Sequence, residues 1–336
     1  MKRLLAAAAL FLGMTAGLQA ATLDDVKARG HLTCGVNPSL QGFANKAADG
    51  AWSGFDVDFC RAVAAAVLGD AAKVEFVPLN AQERFDGLAR GEVDVLARNT
   101  TWTMERETRL PLRFTGISYH DGQGFIVQKL LGVTSALNLS GAAICFQTGT
   151  TNEANVEDFF REKGMTYSPV RFDKLDDAVK AFDEGKCDTF TTDVSTLYAL
   201  RLRLAKPENA IVLQDVISKE PLGPVIRQGD EQWFNIVRWT LFALINAEEM
   251  GVKAATVDSL KADSKNAAIR RLLGAEGSAG PDMGLDQDWA ARAIKAVGNY
   301  GEIFDRNLGP ETPLAINRGI NALWNAGGVL YAPPVR

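Results

Sequence analysis

The chain has 336 residues, of which 47% are hydrophobic and 23% are charged, with a formal net charge of −5. This length and hydrophobic content predict a large core divided between two lobes, and the negative charge argues against a nucleic-acid partner. The two histidines, His31 and His120, stand far apart, and no Cys or His cluster has metal-ligand spacing. We therefore expect neither a metal site nor a cofactor.

Residues 1–20 are typical of a signal peptide. Lys2 and Arg3 precede the apolar run 4–12, and small residues stand near Ala20 and Ala21. This run is too short to span a bilayer, and no later stretch reaches about 18 uninterrupted apolar residues. No cysteine follows the run at the cleavage point, so a lipid anchor is not indicated. We expect a soluble protein exported to a Gram-negative periplasm.

From His31 onward, the pattern alternates strands and helices. The strand LTCGV is followed by the helix GFDVDFCRAVAAAVLG, which Gly69 closes, and then by the strand KVEFVPL. A short helix over 81–89 ends at Gly91, before an apolar strand at 93–97. This βαβ order predicts an α/β fold with a mainly parallel sheet flanked by helices.

The stretch RNTTWTMER, residues 98–106, joins this strand to a helix. Thr103 can cap the helix with its hydroxyl, and Glu105 can pair with Arg109 at i,i+4 spacing. Arg106 has no such partner, because apolar residues stand four positions before and after it. A planar guanidinium without a local partner, beside hydroxyls and backbone N–H groups, predicts a carboxylate-binding site. The alternative is a solvated helix arginine.

The middle of the chain repeats the local pattern that precedes this stretch. FDGLARGEVDVLARN and AVKAFDEGKCDTFTTD both run helix, glycine, strand. Their alignment pairs Gly91 with Gly185, Asp94 with Asp188, Val95 with Thr189 and Asn99 with Asp193. Ligands of open α/β sheets bind beyond the carboxyl ends of the strands, so both strand ends should face one cleft. Arg106 in one lobe and Asp193 in the other predict a site for a zwitterion.

A third candidate lies in GAAICFQTGTTNEANVEDFF, where a strand precedes Gly149, Thr150 and Thr151 and then a helix. Backbone N–H groups at such a helix start bind anions. Together with Arg106 they could hold a carboxylate from two sides. The alternative is an ordinary capping turn, with Thr150 or Thr151 as N-cap.

Two segments are predicted to cross between the lobes and form a two-stranded hinge. The return crossing lies in ISKEPLGPVIRQGD, which contains Pro221, Gly223 and Pro224, and the outward crossing lies near 125–129. The expected lobe boundaries follow from these crossings. They are 21–127 with 225–336 for the first lobe, including a helical extension from about 251, and 128–224 for the second.

Four cysteines in an exported protein can pair in three ways. We predict Cys34 with Cys60 and Cys145 with Cys187, each bridge contributing about 3 to 4 kcal/mol by the chain-entropy estimate. The alternative is four buried free thiols, which this compartment disfavours.

These motifs together resemble the periplasmic solute-binding proteins of the polar amino-acid family, family 3, and within it the general L-amino-acid-binding group. The resemblance rests on GFDVDFCRAVAAAV, RNTTWTMER, QTGTTNE, TTDVS and ISKEPLGPVIRQGD, in the family's order over nearly the whole mature chain. It implies the two-lobed type II periplasmic binding protein fold.

The resemblance also implies the roles of individual residues. Arg106 would clamp the ligand α-carboxylate with Thr101 and the amides of Thr150 and Thr151. Asp193 and the Asn99 backbone would hold the α-ammonium.

Other implied positions concern the ligand side chain. Phe85 matches an aromatic wall, and Leu40 stands where many members carry an aromatic residue. Arg98 replaces a small residue of basic-amino-acid binders, and Arg84 precedes the wall residue. These extra cations suggest that glutamate or aspartate is admitted among polar amino acids.

The implied function is the binding component of an ABC importer. It would capture a broad range of L-amino acids by hinge closure and deliver them, as a monomer, to an inner-membrane permease, with no catalytic residue. The alternative is a cyclohexadienyl dehydratase-like enzyme on the same fold, for which no general acid or base is evident. A receptor sensor domain is disfavoured because no transmembrane or signalling segment follows. The extension is expected to pack on the first lobe, anchored by Trp289 and Trp324.

Overall fold

A computed structural model describes residues 21–336, so the predicted signal peptide lies outside the described residues. The strands are β1 (Leu32–Val36), β2 (Asn45–Lys46), β3 (Trp52–Ser53), β4 (Val74–Pro78), β5 (Val95–Leu96), β6 (Leu112–Phe114), β7 (Tyr119–Asp121), β8 (Gln123–Gln128), β9 (Ala143–Gln147), β10 (Ser168–Phe172), β11 (Thr189–Asp193), β12 (Ala210–Val212), β13 (Glu220–Leu222) and β14 (Val225–Arg227). The helices are α1 (Thr22–Arg29), α2 (Phe55–Leu68), α3 (Glu83–Ala89), α4 (Met104–Arg109), α5 (Asn152–Glu162), α6 (Leu175–Asp183), α7 (Val194–Arg201), α8 (Glu231–Glu249), α9 (Val257–Asp263), α10 (Ala267–Leu272), α11 (Ala279–Asp282), α12 (Trp289–Val297) and α13 (Tyr300–Asn307). Within the described residues, no helix is both long enough and apolar enough to span a bilayer.

The first lobe is built on a sheet with strand order β4-β1-β5-β14-β6. β1 pairs in parallel with β4 and β5, and β14 runs antiparallel to β5 and β6. Helix α2 carries the alanine-rich face that covers this sheet, and it ends at Gly69, whose φ of 71° only glycine adopts readily. The helix end is therefore where the sequence predicted it.

The second lobe repeats the plan with the order β10-β9-β11-β8-β12. β9 pairs in parallel with β10 and β11, while β8 runs antiparallel to β11 and β12. Two apolar clusters cover its two faces, one around Phe182 and Phe190 and the other around Phe125 and Phe160. The predicted two-lobed α/β architecture with mainly parallel sheets is confirmed.

The lobes are joined by an antiparallel ribbon of β7 and β13, with Glu220 opposite Asp121 and Leu222 opposite Tyr119. The return crossing contains Pro221, as expected. The outward crossing at 125–129 is wrong, because this segment is part of β8, a buried strand between β11 and β12. The expected boundary at 127/128 therefore falls inside a strand of the second sheet.

The C-terminal region packs on the first lobe, where α12 lies against α2 and α8. Trp289 at its start is 3% exposed and belongs to the core, which confirms one predicted anchor. Trp324 is 51% exposed and contacts Glu249, so it does not anchor the extension. Instead, the Asn321 side chain accepts a hydrogen bond from the His120 backbone N–H at 2.7 Å and donates to its carbonyl at 2.9 Å.

Both predicted disulfides are present. Cys34 with Cys60 ties β1 to α2, and Cys145 with Cys187 ties β9 to the turn before β11. Cys187 was expected in a strand but lies two residues before one. Each bridge ties an inner strand of a sheet to another segment of the same lobe.

Candidate functional site

The two helix–glycine–strand repeats have the same local hydrogen bonds. The carboxylate of Asp94 accepts a hydrogen bond from the Thr33 N–H at 2.7 Å, and that of Asp188 accepts one from the Ala143 N–H at 2.8 Å. Each aspartate also donates its own N–H to the carbonyl of the same partner. The sequence alignment of the repeats therefore corresponds to a structural equivalence, and Asp193 occupies in the second lobe the strand end that Asn99 occupies in the first.

The segment after β5 has the local structure that its sequence predicts. Thr103 accepts a hydrogen bond from the Arg106 N–H, and Glu105 pairs with Arg109 at 2.7 Å. Arg106 donates from its guanidinium to the Thr101 carbonyl at 2.7 Å, and within residues 21–336 it has no carboxylate within 4.0 Å. Its charge is therefore available to an anion.

A cavity of about 30 Å³ lies between the lobes at these strand ends. It is lined by Asn37, Arg84, Arg98, Asn99, Thr101, Arg106, Gln147, Thr150, Thr151, Asn152, Leu175, Thr192, Asp193 and Thr196. This volume holds only a few water-sized groups, so an amino acid enters only if the lobes separate or side chains move. The structure brings seven of the nine predicted ligand residues to this cavity, and Phe85 and Leu40 are not among its lining residues.

Phe85 stands behind the cavity wall. Its ring lies 4.7 Å from the guanidinium carbon of Arg84 and 5.2 Å from that of Arg106. Phe85 thus packs against two arginines of the cavity, and its role as an aromatic wall for the ligand stays a prediction. Leu40 is 1% exposed and packs in the apolar core of the first lobe, next to its backbone partner Ala44. An apolar side chain in a tight turn is buried more favourably than it lines a polar cavity, so this position is not a pocket wall.

The first lobe contributes three guanidiniums to the cavity, from Arg84, Arg98 and Arg106. Arg98 donates to the Leu79 carbonyl at 3.0 Å. Burial lowers the pKa of Arg98 to about 10, and the charge of Asp56 opposes this shift. Burial also lowers the pKa of Arg106.

Asn99 links this arginine-rich wall to Asp56. The Asn99 backbone has a φ of 34°, in the left-handed region, and its N–H donates to the Asp56 carboxylate at 2.9 Å. Burial raises the pKa of Asp56 to about 7, although the bond from Asn99 and the charge of Arg98 oppose the shift. Because the Asn99 N–H is engaged, its carbonyl is the backbone group left for a ligand.

The second lobe contributes the carboxylate of Asp193 to the cavity. Burial raises the pKa of Asp193 well above its usual range, and the negative charges of Asp121 and Glu220 raise it further. Asp121, on the hinge strand β7, has a pKa raised to about 6 by burial, despite hydrogen bonds from Ser195. A ligand cation beside Asp193 would favour the ionised form of this group.

Glu220 was missed by sequence reasoning. It is 1% exposed on the hinge strand β13. Its carboxylate accepts hydrogen bonds from Thr101 of the first lobe at 2.6 Å and from Thr151 and Asn155 of the second at 2.9 and 2.6 Å. The signal in the sequence was its position directly before Pro221, in a segment predicted to cross between the lobes.

The start of α5 presents backbone N–H groups to the cavity. Those of Thr150 and Thr151 have no hydrogen-bond partner within the part of the chain that the structure describes. The Thr150 hydroxyl accepts from the Asn152 N–H at 3.3 Å and donates to the Gln147 carbonyl at 2.7 Å. The segment is therefore a capping turn with two free amides, an arrangement suited to an anion.

The lobes touch at the cavity's edge. Gln82 in the first lobe donates to the Thr148 hydroxyl at 2.7 Å, and Arg84 donates to the Gly149 carbonyl at 3.3 Å. With the Glu220 bonds, these contacts hold the two lobes together. The arrangement is a closed one.

Comparison with known proteins agrees with this geometry. The family model of bacterial extracellular solute-binding proteins, family 3, matches residues 32–255. The chain is 57% identical over 332 residues to the general L-amino acid-binding periplasmic protein AapJ of Rhizobium johnstonii, covering 98% of this chain and 97% of that protein. It is 54% identical over 317 residues to the glutamate/glutamine/aspartate/asparagine-binding protein BztA of Rhodobacter capsulatus, covering 94% of each.

A solved structure is similar throughout. The periplasmic binding protein of an ABC transporter from Brucella ovis, with glutathione bound, has a TM-score of 0.93 and 57% identity, covering 94% of this chain and 100% of that one. The matched family region contains both strand ends, the α5 start and the hinge ribbon. The chain belongs to the bacterial extracellular solute-binding proteins, family 3.

Proposed function

We propose that this protein is the periplasmic binding component of an ABC amino-acid importer, which captures L-amino acids in the interlobe cavity. The observation that carries the proposal is the separation of charge across the cavity, with Arg106 on one lobe and Asp193 on the other. An α-amino acid presents its carboxylate and ammonium a few ångströms apart, so it can join the two lobes through one small group.

The contacts assign a role to each end of the ligand. Arg106 and the free amides of Thr150 and Thr151 would bind the α-carboxylate. Asp193 and the Asn99 carbonyl would accept from the α-ammonium.

The role of Thr101 is refined by its hydrogen bond. Its hydroxyl donates to Glu220, and a hydroxyl has one proton to give. Thr101 is therefore better suited to accept from the ammonium than to donate to the carboxylate. We therefore assign Thr101 to the α-ammonium and not to the α-carboxylate.

Hinge closure would couple binding to delivery. Ligand contacts from both lobes favour the closed arrangement, as the existing bonds of Glu220 do, and a permease could distinguish this form from the open one. The protein would act as a monomer after export, and its partner would be an inner-membrane permease.

The ligand range would be broad and would include acidic residues. The names of the relatives above describe one as binding general L-amino acids and another as binding glutamate, glutamine, aspartate and asparagine, and the solved structure contains glutathione. The dehydratase alternative gains no support from the cavity, since His120 lies on β7 outside its lining.

Isothermal titration with matched L- and D-amino acids tests the proposal. We expect saturable heat with several L-amino acids at micromolar affinity, about −8 kcal/mol. The D-enantiomers should bind much more weakly, because the two charged anchors and the wall fix the third substituent. Absence of heat with every L-amino acid would end the proposal.

A further inference from the structure

Arg84 has a guanidinium with unmet binding capacity. The side chain is 2% exposed and lines the cavity, and its Nε has no hydrogen-bond partner. Among the described residues, its one hydrogen bond is to the Gly149 carbonyl at 3.3 Å. Within residues 21–336 no carboxylate lies within 4.0 Å of it.

The other two cavity arginines are accounted for. Arg98 donates to the Leu79 carbonyl, and its charge is opposed by Asp56. Arg106 is assigned to the ligand α-carboxylate. The sequence offered both Arg98 and Arg84 as extra cations for the ligand side chain, and the pattern of contacts points to Arg84.

An unpaired guanidinium in this position is costly to hold. Burial lowers the pKa of Arg84 well below its usual range, and the positive charges of Arg98 and Arg106 lower it further. A buried charge is tolerated when it is paired and hydrogen-bonded. A second anion in the cavity would supply both the missing charge and the missing acceptor.

The geometry allows one small ligand to reach both guanidiniums. Arg84 and Arg106 lie over the same Phe85 ring, at 4.7 and 5.2 Å from its centroid. Both arginines also line the same small cavity. A molecule whose α-carboxylate meets Arg106 can therefore extend a second carboxylate to Arg84.

We propose that Arg84 binds a second carboxylate of the ligand, so that the preferred ligands are L-amino acids with a carboxylate beyond the α-carboxylate. This rests on the proposed function. The second carboxylate has two possible sources, the side chain of an acidic amino acid or the C-terminus of a short peptide linked through a glutamate side chain. Both present the same planar group to the guanidinium.

Titration with two ligand pairs tests the proposal. Glutamate and glutamine differ in the side-chain carboxylate, and glutathione and its glycine ethyl ester differ in the peptide carboxylate. We expect wild-type protein to bind the acid of at least one pair roughly 10- to 100-fold more tightly than its neutral partner, the range of a charge-assisted hydrogen bond. Arg84→Gln should remove that preference and change the neutral partner less than about threefold.

Two variants serve as comparisons. Arg84→Lys keeps the charge without the planar fork and should retain part of the preference. Arg90→Gln removes an exposed arginine at the end of α3, the helix that contains Arg84, and should leave all four affinities unchanged. Thermal unfolding of each variant without ligand establishes that the fold is intact.

The outcomes separate this inference from the proposed function. Loss of preference in the glutamate pair assigns the site to acidic side chains, and loss only in the glutathione pair assigns it to peptide ligands. Equal weakening of acid and neutral ligand in Arg84→Gln, or a wild-type protein that binds both equally, would overturn the inference while leaving amino-acid binding established. A wild-type protein that binds none of the four would also overturn the inference, and titration with the other L-amino acids would then decide whether the proposed function stands.

Discussion

The two lobes share one plan and differ in charge at the same position. Both sheets place their strands in the same order, and Asp94 and Asp188 make the same bonds to the neighbouring strand. Arg98 and Asn99 follow the strand β5 in one lobe, and Asp193 ends the strand β11 in the other. The repeated scaffold fixes where the groups stand, and the residues at the strand ends decide what they bind.

The lobes also differ in how their cores are built. Each lobe has an apolar cluster on either face of its sheet, but one cluster of the first lobe is much larger, because α8, α12 and α13 join it. The C-terminal extension therefore adds to the core of the first lobe. The second lobe relies on its sheet, its covering helices and one disulfide.

The largest expected effect comes from removing either charge of the opposed pair. Arg106→Gln and Asp193→Asn should each weaken amino-acid binding roughly 100-fold or more, because the partner charge on the ligand is left buried and unpaired. Isothermal titration measures the change. Arg109→Gln, which loses an exposed ion pair on the same helix, is the control. Wild-type affinity in either variant would contradict the opposed-charge comparison.

Loss of a disulfide should separate the two lobes in stability. Removing Cys145–Cys187 by a double serine substitution should cost about 3 to 4 kcal/mol of unfolding free energy. The bridge spans 42 residues of a lobe that has no extension to compensate. Urea unfolding followed by tryptophan fluorescence and circular dichroism would show the second lobe unfolding first. A single unchanged transition would contradict this.

Acidification should weaken binding by protonating Asp193. The pKa of Asp193 is raised by burial and by Asp121 and Glu220, so it takes up a proton at a pH well above that of an ordinary aspartate. A protonated carboxyl cannot pair with the ammonium, so affinity falls as pH decreases, by up to about tenfold per pH unit below this pKa. Titrations from pH 8 to pH 5 measure it. Constant affinity over that range would mean that Asp193 stays ionised.

Asp121 shares this region with Asp193, so its contribution needs a control. Asp121→Asn removes the group whose pKa is about 6 and one of the charges that raise the Asp193 pKa. The fall in affinity should therefore move to lower pH in this variant. If the affinity of this variant falls at the same pH as that of the wild type, the pH dependence comes from another group.

The smallest expected effect concerns the hinge. Glu220→Gln keeps the shape but loses the charge that attracts donors from Thr101, Thr151 and Asn155. Affinity should fall about tenfold, since charge-assisted bonds become neutral ones. Small-angle scattering should show a larger radius of gyration at subsaturating ligand. Glu162→Gln, an exposed substitution on α5, is the control.

The sequence was sufficient where a site residue could be recognised from its local surroundings. Arg106 was predicted because the helix offers it no partner, and Asp193 because a repeat placed it opposite Asn99. The helix end at Gly69 and the cap at Thr103 follow from local backbone chemistry in the same way.

The missed features depend on contacts between distant segments. Glu220 binds donors from three parts of the chain, and its place before Pro221 does not reveal these distant partners. The roles of Arg84 and Arg98 could not be distinguished, because their difference lies in Asp56 and Leu79. The outward crossing was misplaced at 125–129 because a short apolar run fits a buried strand as well as a crossing segment. The sequence alone does not distinguish these two structures.

The bond between Asn321 and the hinge covers one edge of the hinge ribbon. In the β7–β13 ribbon, the outward N–H and C=O of His120 are both taken by the Asn321 side chain. On the other strand, the Pro221 carbonyl accepts from the Trp102 N–H. Both edges of a two-stranded ribbon are thus covered by side chain or loop. The hinge can twist during opening and closing without offering a bare edge to a strand from another molecule.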